Sequence, residues 1–293
     1  MKQTLLITGA TGFLGSHLVR KFLDSGHRVA ILKRNNSDLK RLDSCASNIS
    51  IFNIEEGLDV PFKSLGHVDA VIHAATCYGR SGEKVSEIFE ANTVFPLKLL
   101  EMATFFNTDT FFNTDTILYK YLNSYSLSKH HFAEWGKSFA EAGKINFINL
   151  KLEHMYGAGD DVSKFVTFVI RTCLKNEEEL KLTLGEQKRD FVHIDDVVNA
   201  YEFLLANKSQ LTLGFSEFGV GSGQATTIAK LVTTIHHLAA SKTKLLFGAL
   251  PYRENEIMHS EADISKLAAL GWKCRYNLET GLKQVIEQEK NWL

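Results

Sequence analysis

The amino-acid sequence predicts an α/β fold, with a doubly wound parallel sheet and a smaller, mixed α/β lobe towards the C-terminus. Three observations lead to this prediction. A short apolar run precedes a glycine-rich turn and an amphipathic helix, strands then alternate with helices to about residue 155, and beyond that point the alternation stops. Alternating strands and helices form right-handed βαβ units, which build a parallel sheet with helices on both faces.

The predicted elements follow one another in a regular order up to residue 155. Residues 4–8 are apolar and end at Gly9, as expected for a buried parallel strand. Residues 13–25 have apolar side chains at helical spacing, and Gly26 then stops the helix. Further strands are predicted at 27–33, 47–54, 68–75, 110–113 and 145–152, and further helices at 85–103 and 124–142.

Composition and charge exclude several classes of protein. The chain has 293 residues, 44% of them hydrophobic, and a formal net charge of −1, without the basic excess of a general nucleic-acid binder. The apolar run Leu5–Ile7 is too short for a signal peptide, and no stretch approaches the roughly 20 apolar residues of a membrane span. We therefore expect a cytoplasmic protein with no nucleic-acid or membrane partner. The four cysteines are widely separated, so no metal site is predicted.

The strongest motif is the glycine-rich turn between the first strand and the first helix. Its spacing is G-x-x-G-x-x-G, one residue longer than the common dinucleotide-binding pattern. Glycines let the backbone turn tightly and approach a pyrophosphate, which the amide groups at the helix N-terminus then bind. The sequence thus predicts a Rossmann-type cofactor site that includes Gly9, Thr11, Gly12, Phe13, Leu14 and Gly15.

The end of the second predicted strand indicates which cofactor is bound. An acidic residue there would accept a hydrogen bond from the ribose 2′-hydroxyl of NAD, but residues 30–37 contain no acid. Arg34 could instead bind the 2′-phosphate of NADP, with Lys33 or Ser37 beside it. We therefore favour NADP over NAD, the alternative for Arg34 being a solvated basic turn.

A tyrosine and a lysine four residues apart suggest the catalytic groups. Tyr125 and Lys129 share one face of the predicted helix, and a nearby ammonium group stabilises a phenolate. Thr114 lies at the carboxyl end of the fifth strand, the edge of an open α/β sheet where sites are found. Its hydroxyl could bind a substrate oxygen beside Tyr125, or simply a backbone group.

The segments TGATGFLG, YSLSK and RDFVHIDD resemble the extended short-chain dehydrogenase/reductase family that acts on nucleotide sugars. The resemblance runs from Thr4 to about Trp272. Four segments, FFNTDT, 149–161, 184–201 and 247–272, are more narrowly similar to reductases within that family. Those enzymes use NADPH to reduce the 4-keto group of a CDP-linked 4-keto-3,6-dideoxy sugar. The resemblance therefore implies a ketoreductase of deoxysugar biosynthesis, for a surface polysaccharide such as lipopolysaccharide O-antigen.

The resemblance also assigns roles to individual residues. Tyr125 is the general acid/base, Lys129 is its partner and binds the nicotinamide ribose, and Thr114 orients the carbonyl. Asn53 and Ile54 lie near the adenine, although the family has Asp at the first of these positions. Ala74 and Ala75 lie beneath the cofactor. The substrate-binding residues implied are Asp115, Thr116, His154, Phe165, Arg189 and Arg253.

Three of these substrate residues also have structural explanations. Arg189 could pair with Asp190 or Asp195, and Arg253 with Glu254 or Glu256. His154 could be a buried, hydrogen-bonded histidine. The domain division expected with these roles is a dinucleotide-binding domain at 1–155, rejoined by 190–212, and a nucleotide-sugar-binding lobe at 156–189 and 213–293.

Other functions remain open from the sequence. An epimerase would use the same groups but retain NAD tightly, and a non-catalytic NADP-binding sensor would not need Tyr125 and Lys129. A dehydratase is disfavoured because Thr116 stands where those relatives have the Glu that removes a proton. Relatives dimerise through helices corresponding to 85–103 and 124–142, so the resemblance implies a homodimer.

Overall fold

The computed structural model describes residues 2–211 and 213–292. The chain divides into two compact units, Met1–Lys151 with Tyr201–Phe218, and Leu152–Ala200 with Gly219–Leu293. The chain thus returns to the first unit at Tyr201–Phe218, whereas the sequence predicts that it returns at residues 190–212. Among the described residues, no helix is both long enough and apolar enough to cross a membrane.

Twelve strands and ten α-helices make up the described part of the chain. The strands are β1 (Thr4–Thr8), β2 (Arg28–Lys33), β3 (Ser50–Asn53), β4 (Ala70–His73), β5 (Thr110–Thr116), β6 (Asn146–Leu152), β7 (His154–Tyr156), β8 (Glu179–Lys181), β9 (Lys188–His193), β10 (Phe215–Val220), β11 (Ala225–Thr227) and β12 (Lys244–Leu246). The helices are α1 (Phe13–Asp24), α2 (Val60–Leu65), α3 (Val85–Phe89), α4 (Phe95–Phe105), α5 (Ser124–Glu141), α6 (Phe165–Leu174), α7 (Ile194–Ala206), α8 (Ile228–Leu238), α9 (Ser265–Ala269) and α10 (Leu278–Glu289).

The largest sheet has seven strands in the order β10-β6-β5-β4-β1-β2-β3. β1 pairs in parallel with β2 and β4, and the pairs β2–β3 and β4–β5 are also parallel. The strand order reverses direction between β1 and β4, and in open α/β sheets ligands bind at such a switch point. The predicted α/β class, with a doubly wound parallel sheet, is confirmed.

The core of the first unit is rich in aromatic side chains. Phe111 of β5, Phe147 of β6 and Phe132 of α5 are fully buried. Phe111 stacks on Phe147 with 5.5 Å between ring centroids, and Phe132 meets both rings edge-on. These contacts hold α5 against the sheet, which fixes the position of every side chain that projects from its first turns.

Several element boundaries differ from the predicted ones. The strand predicted at 47–54 is only β3 at Ser50–Asn53, because a 3₁₀-helix occupies Lys40–Asn48. The helix predicted at 85–103 is α3 and α4 joined by a π-helical turn, Glu90–Val94. The hexapeptide FFNTDT occurs twice in succession, at residues 105–110 and 111–116. The second copy forms most of β5, and the first spans the end of α4 and the connection to β5.

The second unit has two small sheets and a separate core. β9 pairs in parallel with β7 and antiparallel with β11, while β12 pairs in parallel with β8. Helices α6, α8 and α10 contribute Val169, Ile235 and Leu282 to the core. The Asp190 carboxylate accepts hydrogen bonds from the backbone N–H groups of Ser222 and Gly223, which fastens the turn before β11 to β9.

Candidate active site

The glycine turn after β1 has the geometry that a dinucleotide phosphate requires. Gly9 adopts φ +68°, and a Cβ atom there would lie 2.4 Å from the backbone nitrogen of Ala75. A Cβ atom on Gly15 would lie 2.1 Å from the carbonyl oxygen of Gly9. Only glycine fits at these two positions, because backbone atoms occupy the space of any side chain. The turn is thereby packed against Ala74 and Ala75, directly after β4.

The N-terminus of α1 is open for an anion. Gly12 is the N-cap residue, no side chain caps the helix, and its first turn contains no acid. Leu14 is buried, Thr11 and Phe13 are partly exposed, and the Phe13 ring packs edge-on against His17 at 5.0 Å. The uncapped amide groups and the positive end of the helix dipole suit a pyrophosphate. The structure thus brings together the predicted cofactor-binding residues of this turn.

Arg34 lies directly after β2 and is exposed. In the described part of the chain its guanidinium group has no hydrogen bond or ion pair. The Lys33 ammonium instead donates to the backbone carbonyls of Arg34 and Asn35, at 3.1 and 3.3 Å. The structure also brings an acid to this edge, which residues 30–37 could not reveal: the Glu55 carboxylate accepts from the Asn35 N–H at 3.1 Å.

Asn53 and Ile54, predicted near the adenine, lie at the end of β3 and are half-buried. The Asn53 amide donates to the Glu56 carboxylate at 2.8 Å. The Ile54 side chain packs against the core of the first unit. Both residues lie at the same edge of the sheet as Arg34, because β3 and β2 are parallel neighbours.

Tyr125 is the second residue of α5, a helix that begins with a capping box at Asn123. Its ring packs against Tyr78 with 5.0 Å between centroids. Burial raises the pKa of the Tyr125 hydroxyl above its usual value, and hydrogen bonds with Thr116 and Thr76 oppose this shift. At neutral pH the group is therefore protonated and can act as an acid.

Lys129 follows one turn later and is 1% exposed. Its Nζ has no hydrogen-bond partner among the described residues. Burial lowers the pKa of Lys129 to about 8, and the negative charge of Asp115 acts in the opposite direction. A buried ammonium group without a partner is costly, and a polar ligand that reached it would relieve the cost.

β5 supplies the two predicted hydroxyls, which face different partners. Thr114 Oγ1 is hydrogen-bonded to the Tyr201 hydroxyl at 2.7 Å. Thr116 is the residue whose hydroxyl interacts with Tyr125. Tyr201 is fully buried, and burial raises its pKa. Tyr201, Thr76 and Tyr78 could not be predicted from the sequence, since no spacing rule connects them with Tyr125.

Asp115 points into the protein and is 3% exposed. Its Oδ1 accepts from the Thr116 N–H at 2.8 Å, and its Oδ2 accepts from the Asn149 amide at 2.9 Å. The same Asn149 nitrogen donates to Glu217 at 2.9 Å, and the Asn149 oxygen accepts from Asn113 at 2.7 Å. A row of polar side chains therefore crosses β5, β6 and β10, buried at Asp115 and Asn149 and partly exposed at Glu217.

The π-helical turn between α3 and α4 connects the loop after β4 with α5. Its Asn92 is fully buried, and its side chain bonds both the N–H and the carbonyl of Cys77, each at 2.8 Å. It also donates to Ser128 of α5 at 3.0 Å. This side chain holds the loop that contains Thr76 and Tyr78 beside the N-terminal turns of α5.

In the second unit, Arg189 is mostly buried and paired. Its guanidinium group donates to Glu256 at 2.6 Å, a partner different from Asp190 and Asp195, the two considered from the sequence. Arg253 is exposed and has no ion pair within residues 2–211 and 213–292. Glu256 is therefore committed to Arg189 rather than to Arg253.

His154 and Phe165 both present side-chain surface to solvent. The His154 side chain is 41% exposed, and its Nδ1 is 2.8 Å from the carboxylate of Glu153, which is fully buried. Glu153 also accepts a hydrogen bond from the Ser260 hydroxyl. The buried carboxylate holds the imidazole ring in one orientation and leaves Nε2 outermost. Phe165 begins α6 and is 39% exposed.

One group of potential metal ligands occurs among the described residues, namely His67, Asp69 and Asp109. Asp69 already accepts from the Thr4 N–H at 2.7 Å, and Asp109 pairs with Lys208 at 3.2 Å. We assign it no metal.

Comparisons with known proteins identify the family. The sequence profile of the NAD dependent epimerase/dehydratase family matches residues 5–214. The chain belongs to this family. The CDP-abequose synthase of Salmonella muenchen is 34% identical over 297 residues, covering 99% of both chains. That of Salmonella typhimurium is 33% identical, covering 98% of this chain and 99% of the relative.

The solved structures agree with the fold. The UDP-glucose 4-epimerase of Thermotoga maritima, crystallised with UDP-glucose, has a TM-score of 0.86 at 23% identity, covering 99% of both chains. At this identity the likeness shows the fold alone. Family membership confirms the predicted enzyme class: the protein is a nicotinamide-dinucleotide-dependent, oxidoreductase-type enzyme that modifies nucleotide sugars.

Proposed function

We propose that the protein uses NADPH to reduce the 4-keto group of a CDP-linked 4-keto-3,6-dideoxyhexose. The observation that carries this proposal is the 34% identity to a CDP-abequose synthase along 99% of both chains. The Tyr125–Lys129 pair supports it, because a ketone reduction needs a proton donor beside the carbonyl. The glycine turn supports it as well, since its backbone fits a dinucleotide pyrophosphate.

In this proposal the chain's own residues supply the proton and the orientation. NADPH, when bound, supplies the hydride. Tyr125 donates its phenolic proton to the alkoxide that develops at C4, and the Lys129 ammonium stabilises the phenolate left behind. The hydroxyls of Thr114 and Thr116 are the candidates for orienting the carbonyl. Thr114 can do so while bonded to Tyr201, because a hydroxyl has one proton and two acceptor sites.

The proposed substrate contacts of the second unit bind the nucleotide diphosphate. Arg189 and Arg253 carry planar guanidinium groups that pair with phosphate oxygens. Glu256 orients the Arg189 group at 2.6 Å, while Arg253 remains available to a ligand. His154, oriented by Glu153, presents Nε2 to a sugar oxygen, and Phe165 offers an apolar surface to the base.

We assign NADP as the cofactor because the free guanidinium group of Arg34 lies directly after β2, where an adenosine 2′-phosphate would need a cation. An epimerase that retains NAD is the second candidate, because a solved structure with the same fold is a UDP-glucose 4-epimerase. The exposed Glu55 beside Asn35 favours that candidate, since a carboxylate there suits a ribose hydroxyl.

A stoichiometric assay separates the two functions. The purified protein is mixed with NADPH or NADH and a panel of CDP-, dTDP-, GDP- and UDP-linked 4-keto-6-deoxy and 4-keto-3,6-dideoxy sugars. The proposal predicts that one equivalent of NADPH is oxidised per CDP-sugar, faster than NADH. Tightly copurified NAD, with no net oxidation on any sugar, would identify an epimerase instead.

We also propose a cytoplasmic homodimer. Phe89 of α3 and Trp135 of α5 are 43% and 49% exposed, and large aromatic side chains on these two helices suit an interface between copies of the chain. Light scattering of the purified protein tests the dimer, and a monomer at micromolar concentration would contradict it. Cell fractionation tests the location.

A further inference from the structure

Two opposite charges are enclosed beneath Tyr125 without touching each other. The Lys129 ammonium group is 1% exposed and has no hydrogen-bond partner in the described part of the chain. The Asp115 carboxylate is 3% exposed, and the two groups are too far apart to form an ion pair. Removing one of two buried opposite charges is destabilising, because the other is then left in the low-dielectric interior without compensation.

Asn149 determines where the negative charge lies. It is fully buried on β6 and donates from one nitrogen to both Asp115 and Glu217, each at 2.9 Å. Its own oxygen accepts from Asn113, so the amide cannot turn over without losing all three bonds. Asp115 thus has one oxygen bonded to β6 and the other to the backbone of β5.

We propose that Asp115 is a positioning residue, which supplies the buried negative charge opposite Lys129, and that Asn149 fixes its carboxylate in place. The proposal rests on the proposed function for the role of Lys129 in the reaction. This role replaces the contact with substrate that was predicted for Asp115, since both of its carboxylate oxygens accept hydrogen bonds inside the protein. In this role Asp115 keeps Lys129 cationic when the substrate is reduced.

The other groups around Lys129 do not provide a negative charge. His73 on β4 is fully buried, and burial together with the Lys129 charge lowers its pKa well below the usual value, so it is neutral. Tyr125 on α5 stays protonated because burial raises its pKa, and its ring packs against Tyr78. Glu217 pairs with Lys151 at 3.5 Å. Asp115 is the acid that acts on Lys129.

The first experiment requires no substrate. The free energy of unfolding is measured in urea at pH 6, 7, 8 and 9 for the wild type, Asp115→Asn, Lys129→Met and the double variant. Since the folded pKa of Lys129 is below its unfolded value, the unfolded chain binds more protons between the two, and stability rises with pH there. Asp115→Asn should start this rise about one pH unit lower or more. In the Lys129→Met background the substitution should leave the pH dependence unchanged.

The second experiment uses the reductase assay. If Lys129 must be charged, the rate falls at high pH, and Asp115→Asn should move this fall about one pH unit or more towards acid. Asn149→Ala should move it in the same direction but less. Asp109→Asn is the matched control, because this exposed carboxylate pairs with Lys208 on the surface, and its profile should coincide with that of the wild type.

The outcomes separate this proposal from the proposed function. A shifted unfolding profile without reductase activity would support the Asp115–Lys129 coupling and contradict the reductase. Equal pH dependence of Asp115→Asn with and without Lys129 would overturn the coupling, even in an active reductase. If Asp115→Asn folds only in the Lys129→Met background, the coupling is supported. If it folds in neither, Asp115 serves the fold alone and the proposal is wrong.

Discussion

Two charged side chains of the first unit, Lys129 and Asp115, are enclosed, whereas most of the functional side chains expected in the second unit are exposed. Lys129 and Asp115 are 1% and 3% exposed, while the His154 side chain is 41% exposed and Arg253 has no ion pair among the described residues. Enclosed groups have their protonation set by the fold, as the lowered pKa of Lys129 illustrates. The protonation of exposed groups is set mainly by the surrounding water. Changes to these enclosed charges should therefore alter chemistry, and changes to the exposed side chains should alter binding.

The largest effect is expected at Tyr125, the proposed proton donor. Tyr125→Phe removes the proton donor but keeps the ring that packs on Tyr78, so kcat should fall by about 10²- to 10⁴-fold. Tyr78→Phe is the matched control and should change kcat by less than about tenfold, since it leaves every group that transfers a proton. Stopped-flow oxidation of NADPH measures both. Full activity in Tyr125→Phe would remove Tyr125 from the reaction.

The next largest effect is expected at the glycine turn after β1, where the close packing of the backbone should be required for cofactor binding. Gly9→Ala places a methyl group where the Ala75 nitrogen lies 2.4 Å away, so the turn must open and NADPH binding should be lost. The control is Gly26→Ala, which has φ +80° but no atom within 4 Å of the added Cβ. It should destabilise the protein by only about 1–2 kcal/mol and leave binding unchanged. Fluorescence titration measures NADPH binding by both variants, and urea unfolding measures their stability. Equal binding by both variants would show that the glycine turn is not the cofactor site.

The sequence predicted the parts of this site that depend on local rules. Glycine spacing after a strand, and Tyr125 and Lys129 on one helical face, need only a few consecutive residues. The parallel sheet follows from the alternation of strands and helices and the right-handed crossover. The family resemblance then implied that these residues serve a reductase. The profile match confirms the family.

The parts that could not be predicted depend on residues distant in sequence. Asn149 meets Asp115 across 34 positions, and Tyr201 meets Thr114 across 87. Glu256 reaches Arg189 across 67 positions, while the nearby Asp190 is engaged elsewhere. The π-helical turn at Asn92 was also missed, because hydrophobic periodicity does not distinguish it from an α-helix. The packing of elements distant in sequence, rather than residue spacing, decides these side-chain contacts.

The two arginines of the second unit differ in their partners: Arg189 is paired with Glu256, and Arg253 has no ion pair among the described residues. Arg253→Ala should raise KM for the nucleotide sugar about tenfold, with kcat and stability unchanged, because no internal contact is lost. Arg189→Ala should raise KM similarly and also destabilise the protein, since Glu256 is left without its partner. Thermal unfolding beside the kinetic assay checks both. A lower kcat at constant KM in Arg253→Ala would mean that this residue acts in the transition state.

The smallest effect is expected at Arg34, where an exposed arginine lies close to an exposed acid. Arg34→Ala should weaken NADPH binding about tenfold and leave NADH binding unchanged, since only the 2′-phosphate needs the guanidinium group. Glu55→Gln should strengthen NADPH binding a few-fold, because it removes a negative charge from the same edge of the sheet. Both effects should shrink in 0.5 M salt, as expected of exposed charges. If Arg34→Ala weakens both cofactors equally, the guanidinium group binds something other than the 2′-phosphate. NAD would then be the better assignment, with Glu55 binding the ribose.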